Sequence, residues 1–188
     1  MAAKIPREHP LTQLFASLTE ENFAEHLGWP DVEVIGYVTD VLTDFVHVDQ
    51  VYKIRNAQGR RVEEVAEMLA EGDLLHRAES IDREREVHRH IGDYTLFITG
   101  VFPEFLRRMK AAKVMISPDA LLDYIQVGKR SYRIVSEFTY GRYEESAPLF
   151  RKLAENFELC VYGLGYVRAD LDRLRDPNYQ ALKGRLLG

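Results

Sequence analysis

The stretch V-H-R-H-I-G-D-Y-T-L-F-I-T-G-V-F-P-E-F-L, running from Val87 to Leu106, decides the fold. From Ile91 onward it is apolar on nearly every helical face, the pattern of a helix buried among other helices. It nevertheless carries Asp93. A carboxylate in such a helix must meet a cation, a hydrogen-bond donor or a metal, or else take up a proton. Gly92 and Gly100 lie in the same segment, each costing about 0.8–1 kcal/mol relative to Ala, so close packing is expected around them. The stretch therefore predicts a central helix from about Ile81 to Val101 with one polar group in its core. Pro103 cannot donate to the helical ladder, so a restart is expected there, continuing to about Lys110.

Upstream, Leu11, Leu14, Phe15 and Leu18 fall at i, i+3, i+4 and i+7, one apolar stripe. Thr19 reads as the cap of a second short helix that Gly28 stops. Pro30 and Asp31 open a long helical segment reaching about Arg55, where N-A-Q-G-R breaks it. Val62, Val65, Ala66 and Leu69 repeat the helical spacing. Downstream, Ser117-Pro118-Asp119 is a helix start, and Gly141 stops that helix after Tyr140. One long helix is expected from Ser146 to Leu174, then a short tail helix after Pro177. Six glycines, at 36, 92, 100, 128, 163 and 165, fall inside these helices and suggest close helix approach or a bound group. No alternating strand with a hairpin turn and no internal repeat occurs. The expectation is all-α: a compact single domain over residues 1–188, a bundle of about six or seven helices around a buried central one. Short N-terminal helices occupy 10–27, core helices 31–174 and a C-terminal tail helix 177–187.

Composition is ordinary for a soluble globular protein, with 46% hydrophobic and 29% charged residues in 188. The one cysteine, Cys160, excludes an intrachain disulfide and reads as a buried, inert thiol. Met1 to Pro10 has no signal-peptide core, and Tyr94 to Phe102 is far short of the roughly 20 residues that span a bilayer. A cytoplasmic protein with no membrane association is the expectation. Charge is unevenly divided: residues 1–106 carry 10 Lys and Arg against 20 Asp and Glu, and residues 107–188 carry 15 against 10. The halves either attract each other within one fold or supply faces for self-association or a protein partner. No basic and aromatic interleaving points to nucleic acid.

Asp44 and His47 have the acid-x-x-His spacing of carboxylate di-metal bundles, and Glu86, His90 and Asp93 share a face of the central helix. That donor set would suit iron, manganese or zinc. The second Glu-x-x-His motif is missing, because Arg89 stands three residues after Glu86, and the same faces read equally as ion-paired helix surfaces. No cofactor is predicted outright. Arg89 stands one turn before Asp93 and offers it a buried i, i+4 partner. Phe97, Phe102, Tyr124 and Tyr132 could line a ligand cavity or simply form an aromatic core. Ser131 and Ser136 have no histidine near them in sequence, and no phosphate-cradling glycine loop is present.

Arg89, Gly92, Asp93, Leu96, Phe97, Gly100, Phe102, Pro103 and Glu104 form the pattern R-x-x-G-D-x-x-L-F-x-x-G-x-F-P-E. This resembles a motif of an uncharacterised family of bacterial all-helical proteins, and Tyr124-x-x-x-Gly128-x-x-x-Tyr132 is similar to a second block of it. The resemblance implies a bacterial, cytosolic, all-α protein and brings no activity with it. From the residues, three functions are open, with enzymatic activity disfavoured. They are a non-enzymatic interaction or regulatory module that self-associates, a binder of a small or lipid-like molecule in a bundle cavity, and a ferritin-like metal-carboxylate protein.

Overall fold

The computed structural model describes residues 5–56, 58–72, 80–111 and 120–188, and the expected start at Ser117-Pro118-Asp119 lies outside them. Helix α1 (Pro10–Glu25) opens with proline at its first position and the Leu11 N–H donating to His9 Nδ1 at 3.2 Å. It is one helix rather than the two short ones expected over 10–27. Thr19 caps nothing; with Leu18, Asn22 and Phe23 it continues the buried stripe, and Asn22 Nδ2 donates to Asp170 Oδ2 at 2.9 Å. Tertiary burial of that stripe overrides the local cap signal. Asp31 starts α2 (Val32–Phe45), its Oδ1 accepting from the Glu33 and Val34 N–H groups.

Expected to reach Arg55, α2 instead ends at Phe45, because His47 is extended before a single turn, α3 (Val48–Val51). Beyond it, Asn56 and Gly59 mark a tight reversal. Gly59, at φ +74°, donates to Asn56 O, and an isolated bridge joins Arg55 to Arg61. The reversal places Ile54 and Val62 in the core. Helix α4 (Val65–Glu71) follows. The central helix α5 (Ile81–Val101) has the predicted bounds: Ser80 Oγ accepts from the Arg83 N–H at 3.1 Å, and Asp82 and Glu84 sit in the first turn. As expected, Pro103 restarts the chain as α6 (Pro103–Ala111).

Helix α7 (Ala120–Ser136) stops short of Tyr140, and a 3₁₀ turn (Gly141–Tyr143) leads on. The long helix expected from Ser146 to Leu174 is two, α8 (Ala147–Glu155) and α9 (Phe157–Leu174). Asn156 breaks it; its Nδ2 donates to Lys152 O at 3.0 Å, the local side-chain bond that competes with helix continuation. α9 ends at Arg175 in the left-handed conformation, and Asp176 caps the tail helix α10 (Pro177–Leu187). Ten α-helices are thus described where six or seven were expected. Two of the extra helices come from the breaks at His47 and Asn156, each of which divides one expected helix.

α5 lies at the centre, packed most extensively on α7 and α9, and its residues from His90 to Val101 are all buried. Gly100 lets it approach α9, where a Cβ would stand 2.6 Å from Leu164. The acidic and basic halves meet within the fold: Lys152 Nζ pairs with Asp31 at 2.8 Å and Glu33 at 2.7 Å, and Arg168 pairs with Glu104 at 2.6 Å. No described helix is long and apolar enough to cross a membrane.

Candidate functional site

Asp82, Arg85, Arg89 and Asp93 follow one another at steps of three and four along α5, so they share a face. Three other elements bring aromatic hydroxyls to it. At the deep end, Tyr37 of α2 donates to Asp93 Oδ1 at 2.6 Å, and Tyr132 of α7 donates to the same oxygen at 2.8 Å. Arg89 Nε donates to Tyr37 Oη at 3.0 Å and stands 3.9 Å from Asp93 Oδ2. Asp93 is 4% exposed, and both phenols are held well above their usual pKa by burial first and the Asp93 charge second. They therefore stay protonated and act as donors. The expected Arg89–Asp93 pair exists, but it is lopsided: the arginine side chain is 44% exposed, and the closer partners of Asp93 are the two tyrosines.

At the outer end Arg85 is 8% exposed. Its guanidinium lies 4.0 Å from the Tyr143 ring centroid, and one nitrogen donates to Ser146 Oγ at 3.0 Å. Its Nε is buried without a hydrogen-bond partner, and among the described residues no carboxylate is within ion-pair reach of it. Burial, then the neighbouring Arg89, lowers its proton affinity from the usual arginine value, the mark of a cation short of counter-charge. Arg85 borders a cleft of about 450 Å³ together with Lys53, Arg83, Arg89 and Arg142, against two acids, Asp82 and Glu86. Arg142 pairs with Asp82 at 2.8 Å, and Tyr143 Oη donates to the same carboxylate at 2.6 Å.

A second, larger groove of about 740 Å³ runs between α1, α2 and the start of α8. Its wall is apolar at Ala16, Val32, Ile35 and Leu149 and acidic at Glu20, Glu33, Asp40 and Glu145. Val32 is 83% exposed. Tyr37, which accepts from Arg89, and Ser146, which accepts from Arg85, border this groove.

The proposed metal ligands are not gathered. Among the described residues no group of three or more His, Cys, Asp or Glu is placed to hold a metal ion. Because α2 ends at Phe45, His47 leaves the helical face that would align it with Asp44. Glu86 is exposed beside Arg83, and Asp93 is engaged by the tyrosines. His90 is fully buried with Nε2 3.0 Å from Val51 O, and burial pushes its pKa down to about 3. The proposed cavity residues are core instead. Phe97 packs edge-on to Phe102 at 5.4 Å, Phe102 stacks on Tyr179, Tyr124 lies beside Tyr94, and Tyr132 serves Asp93. None of the four borders either cleft.

Folding does bring a histidine to Ser131: His88 Nδ1 lies 3.4 Å from its Oγ. Both residues are buried and neither borders a cleft described here, so the pair reads as core polarity. Sequence reasoning missed Tyr37, Lys53, Arg85 and Arg142. One signal was available: Arg85 and Arg89 are like charges at i, i+4, an arrangement that destabilises a helix unless something compensates. Comparison of the chain with protein-family models, with curated proteins and with solved structures gives no match in any of the three.

Proposed function

We propose that this chain is a non-enzymatic ligand-binding protein whose cleft at the start of α5 holds an anionic group. One observation carries the reading: Arg85 is buried beside the cleft with no carboxylate partner among the described residues, flanked by four further cations. Taking a charge out of water costs several kcal/mol unless an opposite charge and hydrogen bonds offset it. An anion in the cleft supplies both, and a guanidinium presents its donors in the fork that carboxylate and phosphate oxygens match. Among the described residues the cleft lining has no histidine or cysteine to act as base or nucleophile, which favours binding over catalysis. The test is thermal unfolding in millimolar phosphate, citrate or acetate against chloride at matched ionic strength. At least one anion raises Tm in the native chain and fails to do so in Arg85→Met. A Tm that no anion moves beyond chloride removes the proposal.

A second reading, self-association, is favoured by the acid-rimmed groove and by the surplus of cations in residues 107–188 that a second copy would offer it. Sedimentation at low and high salt tests it: a dimer that dissociates as salt rises supports it, and a monomer at every concentration rules it out.

A further inference from the structure

The charges around Arg85 do more than ask for an anion; they count it. Two of the five cations bordering the cleft are closed by acids of the same lining, Arg142 by Asp82 at 2.8 Å and Arg83 by Glu86 at 3.4 Å. Lys53, Arg85 and Arg89 remain. Arg89 has a share in Asp93, 3.9 Å from Oδ2, a carboxylate whose other oxygen, Oδ1, accepts two phenol hydroxyls. Among the described residues, three cations against one shared carboxylate leave about two positive charges without a counter-ion in a partly buried setting, where charge mismatch is screened least.

Geometry narrows the class further. Arg85 and Arg89 project from successive turns of one helix face, and Lys53 comes from the segment after α3, so the donors belong to two separate parts of the chain. Two guanidinium groups on successive turns and one ammonium suit a compact group with oxygens pointing several ways rather than a flat carboxylate. A volume of about 450 Å³ exceeds what the charged group alone requires and falls within the range of small-molecule pockets.

We infer that the cleft selects a dianionic phosphate group, either the monoester of a small organic molecule or free phosphate. This rests on the anion-binding reading above and adds to it the charge and shape of the group. Because among the described residues no histidine borders the cleft and both acids of its lining are ion-paired, loss of binding on acidification reports the ligand's own second proton.

The experiment is isothermal titration of the full chain with phenyl phosphate, inorganic phosphate and phenyl sulfate, the last a monoanion of nearly the same shape. Phenyl phosphate is expected to bind at least about tenfold tighter than phenyl sulfate near neutral pH, and to weaken about tenfold at about pH 5 as its second pKa of about 6 is crossed. Tighter binding of phenyl phosphate than of inorganic phosphate identifies the ester as the ligand form; the reverse identifies free phosphate. Equal binding of phosphate and sulfate esters with no pH response overturns the dianion assignment and leaves the anion-binding reading standing. No binding of any probe overturns both. Arg85→Met can unfold the chain because the residue is buried, so Lys53→Met, at a half-buried position, is the second variant. It should weaken phenyl phosphate more than phenyl sulfate, and equal loss for both counts against a dianion site.

Discussion

The ring of Tyr132 lies across Gly92 so closely that a methyl group at residue 92 would overlap it. That approach is what carries the Tyr132 hydroxyl to Asp93, one residue further along α5. Gly92→Ala should therefore destabilise the chain, by about 1–3 kcal/mol for overpacking, although Ala is the better helix former by about 0.8–1 kcal/mol. Gly36 is the control: it is exposed inside α2, and a Cβ there meets nothing within 4 Å. Gly36→Ala should stabilise by about 0.5–1 kcal/mol. Urea unfolding of the two variants decides; effects of the same sign would contradict this account of the α5–α7 contact.

Asp93 is held by hydrogen bonds rather than by its arginine alone. Tyr132→Phe removes one of two donors to a buried carboxylate and should cost about 1.5–3 kcal/mol, the range for hydrogen bonds to charged groups. Asp93→Ala strands both phenols and the neighbouring Arg89, and should cost about 3–5 kcal/mol. Asp93→Asn keeps an acceptor for both tyrosines and should cost less than Asp93→Ala. If chemical denaturation ranks Asn with Ala, charge rather than acceptor geometry governs the site.

His90 gives the fold a pH dependence of known sign. Its folded pKa, about 3, lies below the ordinary histidine value. Below about pH 6.5 the unfolded chain takes up a proton that the folded chain refuses, so stability falls as pH drops towards 3 and is unaffected by this group above 7. At about 1.4 kcal/mol per pH unit, roughly 2 kcal/mol should be lost through His90 between pH 6.5 and 5. His90→Asn keeps a donor for Val51 O without titrating in this range. The gap between the two proteins' unfolding free energies should narrow by that amount over the same interval; an unchanged gap would mean that His90 does not titrate as its burial requires.

Cys160 should be unreactive while the chain is folded. It is fully buried, and burial pushes the pKa of its thiol up to about 12. Thiolate content at about pH 8 is then about a thousandfold lower than in the unfolded chain, before access is considered. Labelling with a disulfide reagent should track global unfolding; rapid modification of the native protein would show that the α9 core opens locally.

By itself the sequence determined the all-α class, the bounds of α5, the restart at Pro103 and the burial of Asp93 and Cys160. These follow from hydrophobic periodicity, proline geometry and composition, all of which act within a few residues. Helix ends at Phe45 and Asn156 were not legible, since extended backbone at His47 and a side-chain bond to Lys152 O compete with a periodicity that continues through both. Nor could six helical glycines be told apart. Gly92 meets Tyr132 and Gly36 meets nothing, and only packing distinguishes them. Half of the Arg89–Asp93 relationship was readable because i, i+4 spacing is local. Tyr37, Tyr132, Tyr143, Ser146 and Lys53 reach α5 from distant parts of the chain. Tertiary structure alone decided that Asp93 is satisfied by phenols, that Asp44 and His47 part company, and that Arg85 is a buried cation beside an open cleft. Charge balance at a site is summed over neighbours in space, and the neighbours of Arg85 come from elements whose order in sequence says nothing of their meeting.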